Sequence, residues 1–376
     1  MAVNLANSEK ESNFADGNQF PIQIQTYLMY KVLLISGKGE NEKWILRQTP
    51  GGEGISRCGK YKFYINEMIP DPDFVVVRGK SLKQVTEFNV APENVVLATS
   101  EPYSVLAYPA DYCRQFGMVC SCQENLKHKN VVYTPALIFW FVGAIFGKGG
   151  VKSRISYDEF KAMGMPKKEK LISVVTSNKA FTQGHQDRID FVEKLKAYYG
   201  DKLEVFGRGY NSFDDKWDVL APYKYHIAIE NSESKYYWTE KLSDCYLAGC
   251  FPIYYGCKNV NDYFPENAYC KIDIHDFEGS VKAINSLLAE DTCEQRGEAL
   301  AKSKELVLED YNMFNYIASC LDRLNADAPK SRVVIRPAKS MHDLHNIYLY
   351  LVERNIFKVK KFFRSLFKGK SILEKK

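Results

Sequence analysis

The stretch IENSESKYYWTEK (229–241) follows the apolar run YHIAI and precedes LSDCYLAG. It sets Glu230, Asn231, Glu233, Lys235, Glu240 and Lys241 around Tyr236, Tyr237 and Trp238, directly after what reads as a buried strand. A plain surface connection would favour Gly, Pro, Ser and Asn. Charge, amide and rings together suit a polar ligand with flat parts. Thr239 is a natural N-cap and Gly249 a natural C′ residue, so a helix is expected from Glu240. The free N–H groups and dipole of a helix start attract anions. Lys241 in that first turn is disfavoured by the dipole, and a bound phosphate would offset the cost. Glu240 is an acceptor suited to a ribose diol. The plainer reading of the same spacing is a solvated helix start carrying ordinary surface charges.

Two further places could complete such a site. LISVVTSNKAFTQGHQDRIDFVEKL (171–195) reads as strand, polar loop and helix, with Arg188 expected in the first helical turn. Two cations at helix starts facing one cleft could neutralise a diphosphate without metal. VLATSEPYS (96–104) puts Glu101 just beyond a strand, where a carboxylate facing a cleft is a candidate general base. A surface charge at Arg188 and a loop acid at Glu101 are the plain alternatives. Other matches are weaker. GKGGVKS (147–153) lacks phosphate-loop spacing, and FGRGY (206–210) lacks the dinucleotide fingerprint. Asp71 and Asp73 precede their strand, as in a turn. The six histidines form no ligand set.

These residues need strand ends and helix starts to hold them. YKVLLIS (30–36), DFVVVRG (73–79), ENVVLATS (93–100) and FGMVCSC (116–122) are nearly continuous apolar runs, as strands buried on both faces should be. A second series comprises LISVVTS (171–177), KLEVFG (202–207), KYHIAIE (224–230), CFPIYYG (250–256) and AYCKID (268–273). Helical patterns at 186–200, 239–249 and 277–290 lie between its members. Alternation of this kind predicts parallel sheets with right-handed crossovers. At 376 residues the chain is too long for one ordinary core. The expected organisation is a loose leader (1–25), a Rossmann-like domain (26–160), a second one (161–330) closed by helices over 291–325, and a tail (331–376). No internal repeat is evident.

The apolar run VVYTPALIFWFVGAIFG (131–147) is expected to be a strand end and a buried helix, with a membrane-touching segment as the alternative. Ten cysteines without metal spacing read as reduced thiols. The N-terminus has no apolar signal-peptide core. A net charge of +5, with much of the excess near the C-terminus, argues against a nucleic-acid protein.

The segment YKYHIAIENSESKYYWTEKLSDCYLAGCFPIYYG resembles the signature of glycosyltransferase family 10, the α-1,3-fucosyltransferases. The likeness covers about 165–280, from VTSNKAFTQGHQDRIDFVEKL to YFPENAYCKIDIHDF, and carries the ordered E-N-S and T-E-K pair. It implies a two-domain GT-B fold. The second domain would bind GDP-fucose and the first a glycan acceptor. By position, Arg188 and Lys241 would meet the diphosphate and Glu240 the ribose hydroxyls. Asn231 and Tyr237 would contact the phosphate and sugar region. The family's base lies in an E-S-P-like loop. This chain has S-E-P, which makes Glu101 the match. GDP-fucose would be a substrate, with no tightly bound cofactor and a divalent ion at most stimulatory. Another GDP-linked sugar and a non-catalytic nucleotide- or glycan-binding relative stay open. A dehydrogenase is discouraged by the missing fingerprint.

The tail HNIYLYLVERNIFKVKKFFRSLFKGKSILEKK (345–376) spaces Val352, Ile356, Val359, Phe363 and Leu366 helically among Lys and Arg. That pattern is expected of a basic amphipathic helix touching a membrane or a partner chain. The expected placement is cytoplasmic, peripheral on the inner membrane face, where lipid-linked acceptors would be met.

Overall fold

The computed structural model describes residues 29–37, 39–290, 296–341, 352 and 355–363. The first half carries β1 (Tyr30–Ile35), β2 (Tyr61–Ile65), β3 (Phe74–Arg78), β4 (Thr86–Val90), β5 (Val95–Ala98), α1 (Ala110–Cys113), β6 (Met118–Ser121) and β7 (Val131–Tyr133). Six of these strands form one parallel sheet in the order β2-β1-β3-β5-β6-β7. Val75 and Val77 face one apolar layer, and Phe74 and Val76 face the other. Burial on both faces is why this run is continuous rather than alternating.

A hairpin of β8 (Ala144–Gly147) and β9 (Gly150–Ser153), then α2 (Tyr157–Ala162), leads to the second sheet. Its elements are β10 (Lys170–Val175), α3 (Gln183–Tyr199), β11 (Leu203–Phe206), α4 (Lys216–Leu220), β12 (Tyr223–Ser234), α5 (Glu240–Leu247), β13 (Phe251–Cys257), β14 (Cys270–Lys271) and α6 (Phe277–Glu290). The order is β11-β10-β12-β13-β14, all parallel. The predicted α/β class therefore holds, as two doubly wound units. Both sheets place their second strand outside their first and cross back to the third. The repeat absent from the residues is present in the topology. Each sheet has a switch point, between β1 and β3 and between β10 and β12, where open sheets hold ligands.

Two expectations are corrected. The buried helix predicted within 131–147 is absent: the segment is β7, an irregular stretch and β8. Pro135 lacks an N–H, and side chains from elsewhere take the backbone groups that a helix would pair internally. Phe141 N and Val142 N donate to Asp244 Oδ1 at 3.0 and 3.2 Å, and Gly143 N donates to Asp215 Oδ1 at 2.8 Å. Gln48 exchanges hydrogen bonds with the Trp140 backbone. Arg47 donates to the Trp140, Val142 and Ile155 carbonyls. The apolar side chains are core: Leu137, Phe139, Trp140, Val142 and Ala144 are all buried. Among the described residues no helix is long and apolar enough to cross a membrane.

The second correction concerns 291–325. Helix α7 (Gly297–Glu309) packs on the second core through Leu300, Val307 and Leu308. Helix α8 (Met313–Leu321) instead joins the first core, with the Phe63 and Phe314 rings 5.1 Å apart. Its buried face, Met313, Phe314, Ile317 and Leu321, complements the aromatic layer of β2 and β3. Strand β15 (Ser331–Ile335) then pairs antiparallel with β4. The leader lies outside the described residues, as does most of the tail. Residues 355–363 are helical.

Asp244 is fully buried and also accepts from Lys216 Nζ at 2.7 Å. Asp244→Ala should cost about 3–5 kcal/mol, because a buried ammonium and two N–H groups lose their partner. Asp244→Asn should cost less than Asp244→Ala. Urea midpoints of the three proteins check both the size and the order.

Candidate active site

Strand β12 runs past its core into Glu230, which is fully buried. Thr239 N donates to Glu230 Oε1 at 2.8 Å, and the Thr239 hydroxyl lies 2.9 and 2.8 Å from the two carboxylate oxygens. Lys241 Nζ donates to Glu230 Oε2 at 3.2 Å. One buried carboxylate thus closes the loop 231–238 and fixes the start of α5. Thr239 is the N-cap, as expected, accepting from Lys241 N at 3.3 Å. The helix begins at Glu240, and Gly249 past its end has φ +61°.

Lys241 Nζ also lies 3.3 Å from Glu240 Oε1. Burial alone would lower the Lys241 pKa, but Glu230 and Glu240 raise it above its ordinary value. Burial alone would raise Glu240, but Lys241 and Lys216 overcome it and bring its carboxyl down to about 2. Glu240 is therefore an ionised acceptor beside a permanent cation, on a helix start.

Helix α3 supplies Arg188. The N-cap Thr182 accepts from His185 N. Gly184 packs on the end of β12, where a Cβ would overlap the Asn231 carbonyl oxygen, so only glycine allows this approach. Arg188 Nη1 donates to Asn231 Oδ1, while Arg188 Nε is buried with no hydrogen-bond partner. The helix starts at Gln183, so Arg188 lies in its second turn and not its first. Arg188, Asn231, Glu240 and Lys241 thus converge at the switch point of the second sheet.

Glu101 lies just after β5. Burial raises its carboxyl pKa, Lys241 opposes that, and Glu240, Glu230 and Arg78 also act on it. The S-E-P loop of the first half therefore lies within the electrostatic field of the second half's site. Gln123 Nε2 donates to the Glu101 carbonyl at 2.8 Å and holds the loop.

The rings of 236–238 are engaged in packing. Tyr236 stacks on Tyr133 at 4.9 Å and 7°. Trp238 lies against Tyr263, Phe264 and Tyr311. Tyr237, 1% exposed, packs on Cys122 and Ala136 of the first half. Their signal in the sequence marks a junction between halves.

Residues 165–295 match the family model described as glycosyltransferase family 10 (fucosyltransferase) C-term. This segment is therefore similar to a family 10 domain. Over 77 residues, 20% of this chain and 16% of the relative, it is 34% identical to the alpha-(1,3)-fucosyltransferase FucT of Helicobacter pylori. Over 116 residues, 29% of this chain and 28% of the relative, it is 30% identical to alpha-(1,3)-fucosyltransferase 4 of Bos taurus. The chain thus matches under a third of the length of these relatives. An alpha1,3-fucosyltransferase crystal structure with GDP is 15% identical with a TM-score of 0.47, covering 77% of this chain and 92% of that one.

Within residues 165–295, Lys216 is a site residue that sequence reading missed. Its Nζ bonds Asp244, lies 3.7 Å from Glu240 Oε1 and sits 5.2 Å over the Phe141 ring. The dense charge of DDKWD (214–218) ahead of a helix was the available signal. The weaker motifs have structural places. GKGG forms the hairpin turn, and Asp73 accepts from Lys31 N and pairs with Lys330. Among the described residues no cluster of three or more His, Cys, Asp or Glu side chains could hold a metal.

The depressed Glu240 carboxyl links the site to stability. A group whose pKa falls on folding stabilises the protein above its unfolded value, about 4.3, and loses that as pH drops toward its folded value. Wild type should exceed Glu240→Gln by roughly 3 kcal/mol at neutral pH. The difference should hold from pH 8 to 5 and vanish as pH falls from about 4 to about 2. Chemical denaturation of both proteins across pH measures it.

Proposed function

We propose that this protein is an inverting fucosyltransferase that moves L-fucose from GDP-β-L-fucose to a glycan hydroxyl. The favoured linkage is α-1,3 to N-acetylglucosamine or a similar residue, in surface polysaccharide synthesis. The observation that carries the reading is the convergence of Arg188, Asn231, Glu240 and Lys241 at a sheet switch point inside a segment similar to a family 10 domain.

Each residue has a physical task. Arg188 and Lys241, with the start of α5, meet the diphosphate. The unpartnered Arg188 Nε and the orientation of Lys241 by two carboxylates support that task. Ionised Glu240 accepts from the ribose diol. Asn231, already bound to the guanidinium, keeps Arg188 aimed, and Tyr237 borders the sugar region from the domain junction.

Glu101 removes a proton from the acceptor hydroxyl as that oxygen attacks the anomeric carbon from the face opposite GDP. A carboxyl raised by burial is the stronger base. The bond to the phosphate oxygen breaks, and the growing negative charge on GDP passes to Arg188, Lys241 and the helix N–H groups. Protein cations carry the charge balance, and a divalent ion would stimulate without being required. The helix over 355–363 exposes Ile356, Val359, Phe362 and Phe363 among lysines, which supports peripheral contact with an anionic membrane face.

The test is GDP release from a panel of sugar nucleotides with N-acetyllactosamine as acceptor. Turnover with GDP-fucose alone is expected. Lys241→Ala should lower kcat/KM by about 100-fold or more and weaken GDP binding. Glu101→Gln should abolish transfer with GDP affinity near normal. Wild-type activity in Glu101→Gln would place the base elsewhere. Deletion of 345–376 should abolish cosedimentation with anionic vesicles; unchanged partitioning would remove the membrane reading.

A further inference from the structure

A cavity of about 900 Å³ lies between α2, the irregular stretch 163–168, the C-terminal end of α5 and α7. Met163, Met165, Pro166, Leu247, Leu300 and Leu308 give it apolar walls. That volume suits a small-molecule site, in which apolar walls bury the body of a ligand and a few polar groups orient it. Leu247 ends α5 and lies roughly 9 Å along the helix from Lys241. The cavity is therefore at the opposite end of α5 from the donor cations, and none of its lining residues has a task in the transfer scheme. Its wall can adapt. Gly249 has φ +61°, and a Cβ there would overlap Met165 Sδ. Met165 itself is 47% exposed. Unbranched thioether side chains on a stretch without regular structure reshape readily around an apolar occupant.

The charges around the cavity are unequal. Arg57, Lys161, Lys168 and Lys304 line it against Glu305 and Glu309. Glu309 is already satisfied: Arg57 and Lys161 pair with it at 3.2 and 2.9 Å, and the Tyr157 hydroxyl donates to it at 2.8 Å. Glu305 pairs with Lys302 at 2.8 Å. Lys168 Nζ donates to the Ala221 and Ala248 carbonyls at 2.8 and 2.9 Å. Lys304 differs. Its Nζ donates to the Met163 carbonyl, and among the described residues no carboxylate pairs with it. Burial pushes its pKa below the ordinary lysine value, and no neighbouring charge opposes the shift. An ammonium has three donors, and the protein takes one of them here. A cation drawn out of water beside apolar walls is costly until an anion joins it.

We propose that this cavity binds a monocarboxylate with a hydrocarbon chain. The chain lies along Met163, Met165, Leu247, Leu300 and Leu308, and the carboxylate accepts from Lys304. One ammonium balances one carboxylate, since Arg57 and Lys161 are held by Glu309. A neutral amphiphile would leave Lys304 without a counter-charge, and a cationic one would be repelled. The site is separate from the donor groups and stands independently of the donor reading.

The test is binding to the full-length protein below micelle-forming concentrations. The fluorescent chain carboxylate cis-parinaric acid is the reporter. Dodecanoate, dodecanol, dodecylamine, dodecyl phosphate and acetate compete with it. Wild type should bind dodecanoate at least about tenfold more tightly than dodecanol or dodecylamine, and acetate should not compete. Lys304→Met keeps an apolar stem without the charge. It should weaken dodecanoate binding about tenfold or more and leave dodecanol within about twofold, whereas Lys304→Arg should bind dodecanoate nearly as wild type does. Ala301→Trp fills the cavity from an exposed position on α7 and should abolish binding of both. A diazirine-bearing fatty acid then locates the occupant: labels on 163–168 and 297–308 support the site, and labels confined to the helix over 355–363 overturn it. If Lys304→Met fails to fold, Ala301→Trp and the photolabel decide. No binding of dodecanoate, equal binding of dodecanol, preference for dodecyl phosphate, or wild-type affinity in Lys304→Met or Ala301→Trp would also overturn it.

Discussion

The buried carboxylate of Glu230 is the constraint on which the donor side depends. It has no access to water and finds its partners in the Thr239 backbone, the Thr239 hydroxyl and the Lys241 ammonium. A carboxylate in that position is costly unless every lone pair is used. Here its satisfaction requires the loop 231–238 to return to the strand end and α5 to begin at Glu240. The strand end, the cap and the cation become one unit, so the helix start is preorganised before any ligand arrives. Such an arrangement lowers the ordering cost at the moment charge develops.

A second set of buried charges joins that unit to the rest of the chain. Asp244, one turn along α5 from Glu240, accepts from the backbone of 141–142 and from Lys216, and Lys216 in turn reaches toward Glu240. The connection between the halves is therefore tied to the donor helix by side chains. Arg47 and Gln48 of the first half grip the same connection from the other side. Tyr236 on Tyr133 and Tyr237 on Cys122 and Ala136 add ring contacts across the junction. A displacement of α5 would pull on both halves at once.

The nine strands predicted from apolar runs are all present; burial on both faces leaves a continuous pattern in β3, β5, β6 and β13, whereas β11 and β14 are partly exposed. The strands missed are β2, whose YKFYI alternates, and the short or edge strands β4, β8, β9 and β15. Thr239, Gly249, Glu240 and Lys241 were legible because capping is local chemistry. Arg188 was placed one turn early because the Thr182 cap was overlooked in a polar loop. The stretch 134–143 was misread for a deeper reason. Its composition is that of a buried helix, and side chains far away in the chain, Asp215, Asp244, Arg47 and Gln48, supply the partners that let it stay irregular. Local pattern carries no record of such distant acceptors. The same holds for α8, whose apolar face is plain while the sheet it covers is not.

The matching strand orders extend this point to function. Each sheet brings an amide or hydroxyl from a strand end and an arginine to its own switch point: Asn231 with Arg188 in one, Ser36 with Arg78 in the other. The two sets differ in charge. The second side gathers Arg188, Lys241 and Lys216 around Glu230, Glu240 and Asp244. The first side sets one guanidinium over the Phe139 ring. Glu101 lies where both fields reach it, opposed by Lys241 on one side and Arg78 on the other. Burial raises the Glu101 carboxyl pKa, and the two cations work against that shift. The two halves are thus coupled electrostatically through the residue between them.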